Sequence, residues 1–134
     1  MIDKKSVKLS ILIPCYNERN TIEEVLNKII VSLKNYNFLN YEIIIVDDSS
    51  SDGTSEILKR IEATDKIKVY YHKKNSGKGG ALHTAIENSD SDITIIQDAD
   101  LEYDPFDYDK LLLPFFETDA DVVCGSRFLV EESM

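Results

Sequence analysis

Two aspartates separated by one small residue, Asp98-Ala99-Asp100, close an apolar run and are followed by Glu102 and Asp104. In an extended segment, residues i and i+2 project to the same side, so both carboxylates can face one ligand. Hard oxygen donors of this kind suit Mg²⁺ or Mn²⁺, whose other positions water and a diphosphate would fill. Without a cation the clustered charges repel, and one carboxyl tends to take up a proton. Two other polar segments also end apolar runs: Pro14-Cys15-Tyr16-Asn17-Glu18, and the turn from Asp47-Asp48 through Ser49, Ser50, Ser51 and Asp52 to Gly53-Thr54. One carboxylate of the Asp47-Asp48 pair can accept the ring imide proton of a uracil or guanine, and Tyr16 offers a flat face on which a base can stack. Each segment also has a plainer reading. Acids and serines cap helices, a proline ends a strand, a tyrosine sits on a rim, and an acidic loop is solvated.

The elements that must position these residues alternate between strand and helix patterns, which indicates an α/β domain with a mainly parallel central sheet flanked by helices. Residues 7–14 (VKLSILIP), 42–46 (EIIIV), 67–71 (IKVYY), 93–97 (ITIIQ) and 122–125 (VVCG) read as buried strands. Ile22, Val25, Leu26, Ile29, Ile30 and Leu33 recur at helical spacing, with Asn20 and Glu23 as a capping pair ahead of them. Ile57, Leu58 and Ile61 mark a short helix. Ala81, Leu82, Ala85 and Ile86 mark the core face of another, entered from the turn Gly77-Lys78-Gly79-Gly80. A last helix starts at Asp104-Pro105 and carries Leu111, Leu112, Phe115 and Phe116, with Pro114 interrupting it. Ligands of an open parallel sheet gather beyond the carboxyl ends of its strands, and the three polar segments are expected on that edge.

The segment Asn75-Ser76-Gly77-Lys78-Gly79-Gly80-Ala81 exposes backbone N–H groups and a positive charge at a helix start, as phosphate-binding loops do. It is not a Walker motif, because Gly79 follows Lys78 and His72 stands where the first glycine belongs. No dinucleotide fingerprint follows the first strand. His72 and His83 read as isolated structural or surface residues.

With 25 acidic and 15 basic side chains among 134 residues, the formal charge of −10 disfavours nucleic acid and anionic membrane surfaces as partners. A small anion remains compatible if a cation bridges it to the carboxylates. Cys15 and Cys124 lack the spacing of a zinc or redox motif and read as reduced thiols. No stretch has the length of a membrane span or a signal peptide, so a cytoplasmic location is expected.

Taken in order, PCYNE, DDSSSDGT, NSGKGGA, DADLEYDP and GSRF resemble glycosyltransferase family 2 with its Rossmann-like GT-A sandwich. The DADLEYDP and GSRF segments are most similar to the polyprenyl-phosphate hexose synthases of the dolichyl-phosphate mannose synthase type. The resemblance spans residues 7–128. It implies that Pro14, Tyr16 and Glu18 contact base and ribose, that Asp47 or Asp48 reads the base, and that Lys78 lies in a loop lining the nucleotide pocket. It makes Asp98-Ala99-Asp100 the DXD segment, with Asp98 and Asp100 holding Mg²⁺ or Mn²⁺ and the donor diphosphate, and Glu102 completing the metal shell. Arg127 matches an arginine that handles phosphate near the reacting centre, so Asp100 and Arg127 are the expected catalytic residues. The donor would be a UDP-, GDP- or dTDP-hexose and the acceptor a polyprenyl phosphate or a glycan.

Family members normally continue into acceptor-binding helices and, in many cases, membrane segments. The resemblance therefore implies that residues 1–134 are the nucleotide-sugar-binding portion of a GT-A domain lacking its C-terminal acceptor portion, and that the missing part could bring the protein to the cytoplasmic face of a membrane. The implied reaction is a metal-assisted inverting displacement at the anomeric carbon. A sugar-nucleotide nucleotidyltransferase would place a glycine- and arginine-rich phosphate loop directly after the first strand, where Pro14 to Glu18 stand instead. A receiver-type phosphoacceptor domain would carry its key Asp after the third strand. A nucleotide-binding fragment without activity of its own is the further alternative.

Overall fold

Runs of isoleucine, leucine and valine too dense to leave a polar face become the central strands. In the computed structural model, which describes residues 8–35, 40–61, 66–97 and 99 together with the backbone of 122–124 and 129–132, β1 (Lys8–Cys15) pairs in parallel with β2 (Asn40–Asp47). Ile11 lies opposite Ile43 and Ile13 opposite Ile45. β3 (Ile67–Tyr71) joins β2, and β4 (Ile93–Ile96) joins the other side of β1, both in parallel. Two short antiparallel strands, β5 (Val122–Cys124) and β6 (Leu129–Glu132), extend the sheet beyond β4 to give the order β3-β2-β1-β4-β6-β5. The expected parallel sheet thus holds for β1 to β4. β6 was not anticipated, because LVEE is too short and too acidic to show a strand pattern.

Side chains alternate across each strand, and the two faces receive different helices. Leu9, Ile11, Ile13, Ile43 and Ile45 are buried together with Ile22, Val25, Leu26, Ile29 and Leu33 of α1 (Ile22–Asn35) and Leu58 of α2 (Thr54–Ile61). Leu12, Ile44 and Val46 point the other way, onto Ala81 and Ala85 of α3 (Gly77–Glu87). Fully burying one such aliphatic side chain is worth about 1.5–3 kcal/mol, so the α1 layer, with many more of them, dominates the core energetically. The small alanines let α3 approach the sheet closely.

A carboxylate is buried within the sheet on the α3 side. Glu42 is only 5% exposed. Its carboxylate accepts from Ser10 Oγ (2.5 Å), Asp90 N (2.9 Å) and Lys68 Nζ (3.4 Å). Burial would raise this carboxyl, but those bonds and the charge of Lys8 outweigh it and hold the group below its ordinary range.

Some local expectations are corrected. The chain enters α1 through Glu18 rather than through Asn20: the Glu18 carbonyl accepts from Thr21 N (3.2 Å) and Ile22 N (3.0 Å), and its carboxylate from Thr21 Oγ1. The glycine-rich segment is the first turn of α3 and not a turn preceding it. Ile86 is 53% exposed and belongs to no core face. The helix expected from Asp104-Pro105 lies outside the described residues. Among the described residues, no helix is long and apolar enough to cross a membrane.

The strand order reverses at β1, with β2 and β3 to one side and β4 to the other. The loops leaving β1 and β4 must therefore part, and they open a crevice at the carboxyl edge of the sheet.

Candidate functional site at the carboxyl edge of the sheet

The loops at this edge are tied to one another by continuing the ladder past the strands. Asp48 N donates to Cys15 O (2.8 Å), His72 N to Asp47 O (2.9 Å) and Gln97 N to Leu12 O (2.9 Å). Asn17, in the left-handed region at φ 53°, donates from its backbone N to Ser50 Oγ (2.9 Å) and accepts from Ser51 N at Oδ1 (2.8 Å). Arg19 reaches Asp52 through its backbone N (3.3 Å) and through Nη1 to the Asp52 carbonyl (3.4 Å). Thr21 Oγ1 donates to Ala99 O (2.8 Å), which joins the start of α1 to the segment after β4.

The neighbouring aspartates at the end of β2 serve opposite faces. Asp47 turns toward α2, accepting from Ser50 N (3.1 Å) and Ser55 Oγ. Asp48 turns toward α3, where Oδ1 accepts from Ser76 N (2.8 Å), Ser76 Oγ (2.9 Å) and His72 Nδ1 (2.8 Å), and Oδ2 from Gly77 N (2.8 Å). Ser76 makes no side-chain cap of its own. Asp48 thus supplies the anion at the α3 N-terminus from another element, where the helix dipole favours negative charge. Burial works against its ionisation, but hydrogen bonds from Ser76, His72 and Gly77 prevail and hold the carboxyl below the ordinary range. At neutral pH Asp48 is an ionised acceptor.

A cleft of about 360 Å³ opens between these loops, lined by Pro14, Cys15, Tyr16, Glu18, Asp48, Asn75, Gly77, Lys78, Ala81 and Ala99. Its size suits a ligand as large as a nucleotide. Of the residues singled out from sequence, Pro14, Tyr16, Glu18, Asp48, Lys78 and Ala99 meet here, while Asp47 is directed to α2. Tyr16 is 48% exposed, a ring standing at the rim. Cys15 is buried, and burial together with the charges of Asp47, Glu18 and Asp52 pushes its thiol far above the usual range. Ala99 is buried at the cleft.

Asp98, Asp100, Glu102 and Arg127 lie outside the described residues. Among the described residues, no group of His, Cys, Asp and Glu side chains forms a metal-ligand set. What bears on a cation here is that the residue between the two aspartates lines the cleft and that its neighbours carry hard carboxylate donors.

Sequence reasoning passed over His72, Ser76 and Thr84. His72 is not isolated: its ring bridges Asp48 and Thr84 Oγ1 (2.7 Å from Nε2). The signal was available in the register, since Asp47 pairs with Tyr71 and their successors must be neighbours. His83 is a surface residue, paired with Glu87 one turn on.

The family model described as Glycosyl transferase family 2 matches residues 10–133. Dolichol-phosphate mannosyltransferase of Pyrococcus furiosus is 33% identical over 123 residues, covering 92% of this chain and 34% of that protein. UDP-N-acetylglucosamine–dolichyl-phosphate N-acetylglucosaminyltransferase of Methanococcus voltae is 34% identical over 133 residues, covering 87% of this chain and 51% of the relative. The chain therefore spans about a third to a half of the length of these curated relatives. Among solved structures, the mannosyltransferase PcManGT from Pyrobaculum calidifontis, in complex with GDP-Man and Mn²⁺, superimposes with a TM-score of 0.77 at 19% identity, covering 92% of this chain and 44% of that one. At that identity the likeness is one of fold, the GT-A sandwich.

Proposed function

The chain belongs to glycosyl transferase family 2, and on that premise we propose that it binds a nucleotide diphosphate sugar at the carboxyl edge of its sheet, for transfer of the hexose to a polyprenyl phosphate. One observation carries the reading. The loops after β1, β2 and β4 and the first turn of α3 converge on a single cleft that gathers an aromatic rim, an ionised acceptor, a lysine and the central residue of the acidic triplet. Residues 1–134 are on this reading the nucleotide-sugar-binding portion of the domain.

Tyr16 stacks on the base, and Asp48 accepts its ring N–H. Pro14 and Glu18 border the base and ribose, and Lys78 stands at the phosphate end of the cleft. Asp98 and Asp100, with Glu102, would hold Mg²⁺ or Mn²⁺. When bound, that cation neutralises the charge growing on the departing diphosphate. Arg127 orients the acceptor phosphate. A lipid phosphate is already largely ionised at neutral pH, its second pKa being about 6, so its oxygen can attack without a general base. These two curated relatives carry dolichol phosphate in their names, which favours a lipid phosphate over a glycan and action at a membrane surface.

The test is calorimetric titration with UDP, GDP, dTDP and ADP in the presence of Mn²⁺. A nucleotide whose base offers a ring N–H should bind best, because adenine has no proton at the matching position. ADP binding more tightly than the other three would overturn the reading.

A further inference from the structure

His72 lies behind the cleft wall. The register places it there: Asp47 is paired with Tyr71, and His72 N continues the ladder to Asp47 O (2.9 Å), so the imidazole emerges beside Asp48. The Asp48 side chain is 4% exposed and that of His72 19%. An ionised carboxylate only accepts, so the 2.8 Å contact requires that Nδ1 carry the hydrogen. Nε2, 2.7 Å from Thr84 Oγ1, anchors the far side of the ring to α3, and Ser76 Oγ lies 2.9 Å from Nδ1.

The donors are unequally divided. Oδ1 of Asp48 receives Ser76 N, Ser76 Oγ and His72 Nδ1, whereas among the described residues Oδ2 receives Gly77 N. A carboxylate oxygen has about two lone-pair sites, so Oδ1 is saturated and Oδ2 retains capacity for one more donor. Asp48 lines the cleft. Rotation about its terminal torsion would swing the carboxylate plane and turn the lone pairs of the second oxygen away from the cleft, and such torsions are soft unless something grips one end.

We infer that His72 is a positioning residue for base recognition, gripping one oxygen of Asp48 and so fixing the carboxylate plane with the other oxygen's open lone pair aimed at the ring N–H of an incoming nucleobase. This rests on Asp48 as the reader of the base. The base contact is then a property of the His72-Thr84 brace as well as of the aspartate, and losing the brace should erode discrimination between bases more than binding of the sugar and phosphates common to all nucleotides.

The experiment is calorimetric titration of the whole chain with UDP, GDP and ADP in Mn²⁺, for the wild type, His72→Leu, His72→Asn and Asp48→Asn. For whichever of UDP and GDP the wild type binds better, its preference over ADP should fall about tenfold in His72→Leu, the size expected on losing a hydrogen bond to a charged group. His72→Asn, whose amide nitrogen can take the place of Nδ1, should recover most of it. A histidine that merely supported the fold would weaken all nucleotides alike, and this result would overturn the inference. An unchanged preference in His72→Leu, with the preference lost in Asp48→Asn, would overturn it while leaving Asp48 as the base reader. An unchanged preference in Asp48→Asn would instead bring down the base reading and the inference together. Should His72→Leu fail to fold, Thr84→Val removes the other anchor of the ring. A severalfold drop in preference is expected there, and no drop overturns the inference.

Discussion

A Cβ added to Gly80 would stand 2.4 Å from Ser76 Oγ and 2.7 Å from Ser76 Cβ. The first turn of α3 therefore fits against Ser76 only with hydrogen at that position, and Ser76 donates twice to Asp48. Gly80→Ala should cost about 1–3 kcal/mol, the usual penalty for overpacking, and should weaken nucleotide binding with it. Gly79 is the control, since its Cβ would meet nothing within 4 Å. Gly79→Ala should be neutral or stabilising by up to about 1 kcal/mol, because alanine loses less entropy in a helix. Urea unfolding of both variants, beside UDP titrations, checks the contrast.

The left-handed turn at Asn17 gives a second test. Its side chain bonds Ser51 N, and its φ of 53° is one that asparagine and glycine tolerate better than alanine. Asn17→Gly loses the hydrogen bond but keeps the backbone, at a cost of about 1 kcal/mol. Asn17→Ala adds the strain and should be about 1 kcal/mol worse again. Equal urea midpoints for the two would show that the turn relaxes freely.

The parts that were legible in the sequence are those decided by long apolar patterns. The runs that became β1 and β2 carry dense stretches of isoleucine, leucine and valine, and the apolar residues from Ile22 to Leu33 recur at helical spacing. What stayed hidden is what a residue's neighbours in space decide. Glycine's poor helix propensity argued against Gly77, Gly79 and Gly80 as helix, yet Asp48 from another loop caps that turn and close packing on Ser76 demands one of them. Asp47 and Asp48 are indistinguishable by type, and only the pleat of β2 sends one to α2 and the other to the cleft. His72 looked isolated because its partners are 24 and 12 residues away.

Acid should weaken the fold through carboxylates that the native state keeps ionised. In Asp48, Asp52 and Glu42, burial opposes ionisation but hydrogen bonds overcome it, and each folded value lies below the ordinary one. The unfolded chain then binds protons first. The stabilisation is complete above the unfolded values, near pH 4, and is lost as pH falls below them toward the folded values. Urea midpoints should be flat from pH 7 to about 5 and fall below pH 4, with a shallower fall in Glu42→Gln, which has no charge to lose.

Cys15 should be chemically quiet although it borders the cleft. Burial and the nearby acids keep its thiol protonated well into alkaline conditions, and alkylation requires the thiolate. Iodoacetamide at pH 8 should label Cys15 far more slowly than it labels free cysteine, as read by peptide mass spectrometry. Labelling at the rate of free cysteine would mean that the β1 end opens frequently.

Metal dependence is the sharpest test of the acidic triplet. Ala99 is 3% exposed, lines the cleft and is held there through its carbonyl by Thr21 Oγ1 at 2.8 Å. The aspartates on either side of it are the carboxylates through which a cation could join this acidic chain to a diphosphate. Asp100→Asn keeps the shape of the side chain but removes its charge and one of its two acceptor oxygens, so the difference it makes reads the carboxylate's contribution without a change of volume. With Mn²⁺ present, affinity for the preferred nucleoside diphosphate should fall at least about tenfold, the lower end of what disturbing a metal site costs. In chelator the variant should bind no more weakly than the wild type, because it places one negative charge fewer beside the diphosphate. Thr21→Val, which loosens the segment without touching a ligand, should produce a smaller loss that also depends on Mn²⁺. Calorimetric titrations of the three proteins in Mn²⁺ and in chelator check this, and wild-type affinity that is the same in both conditions would refute a metal role for Asp98 and Asp100 in donor binding.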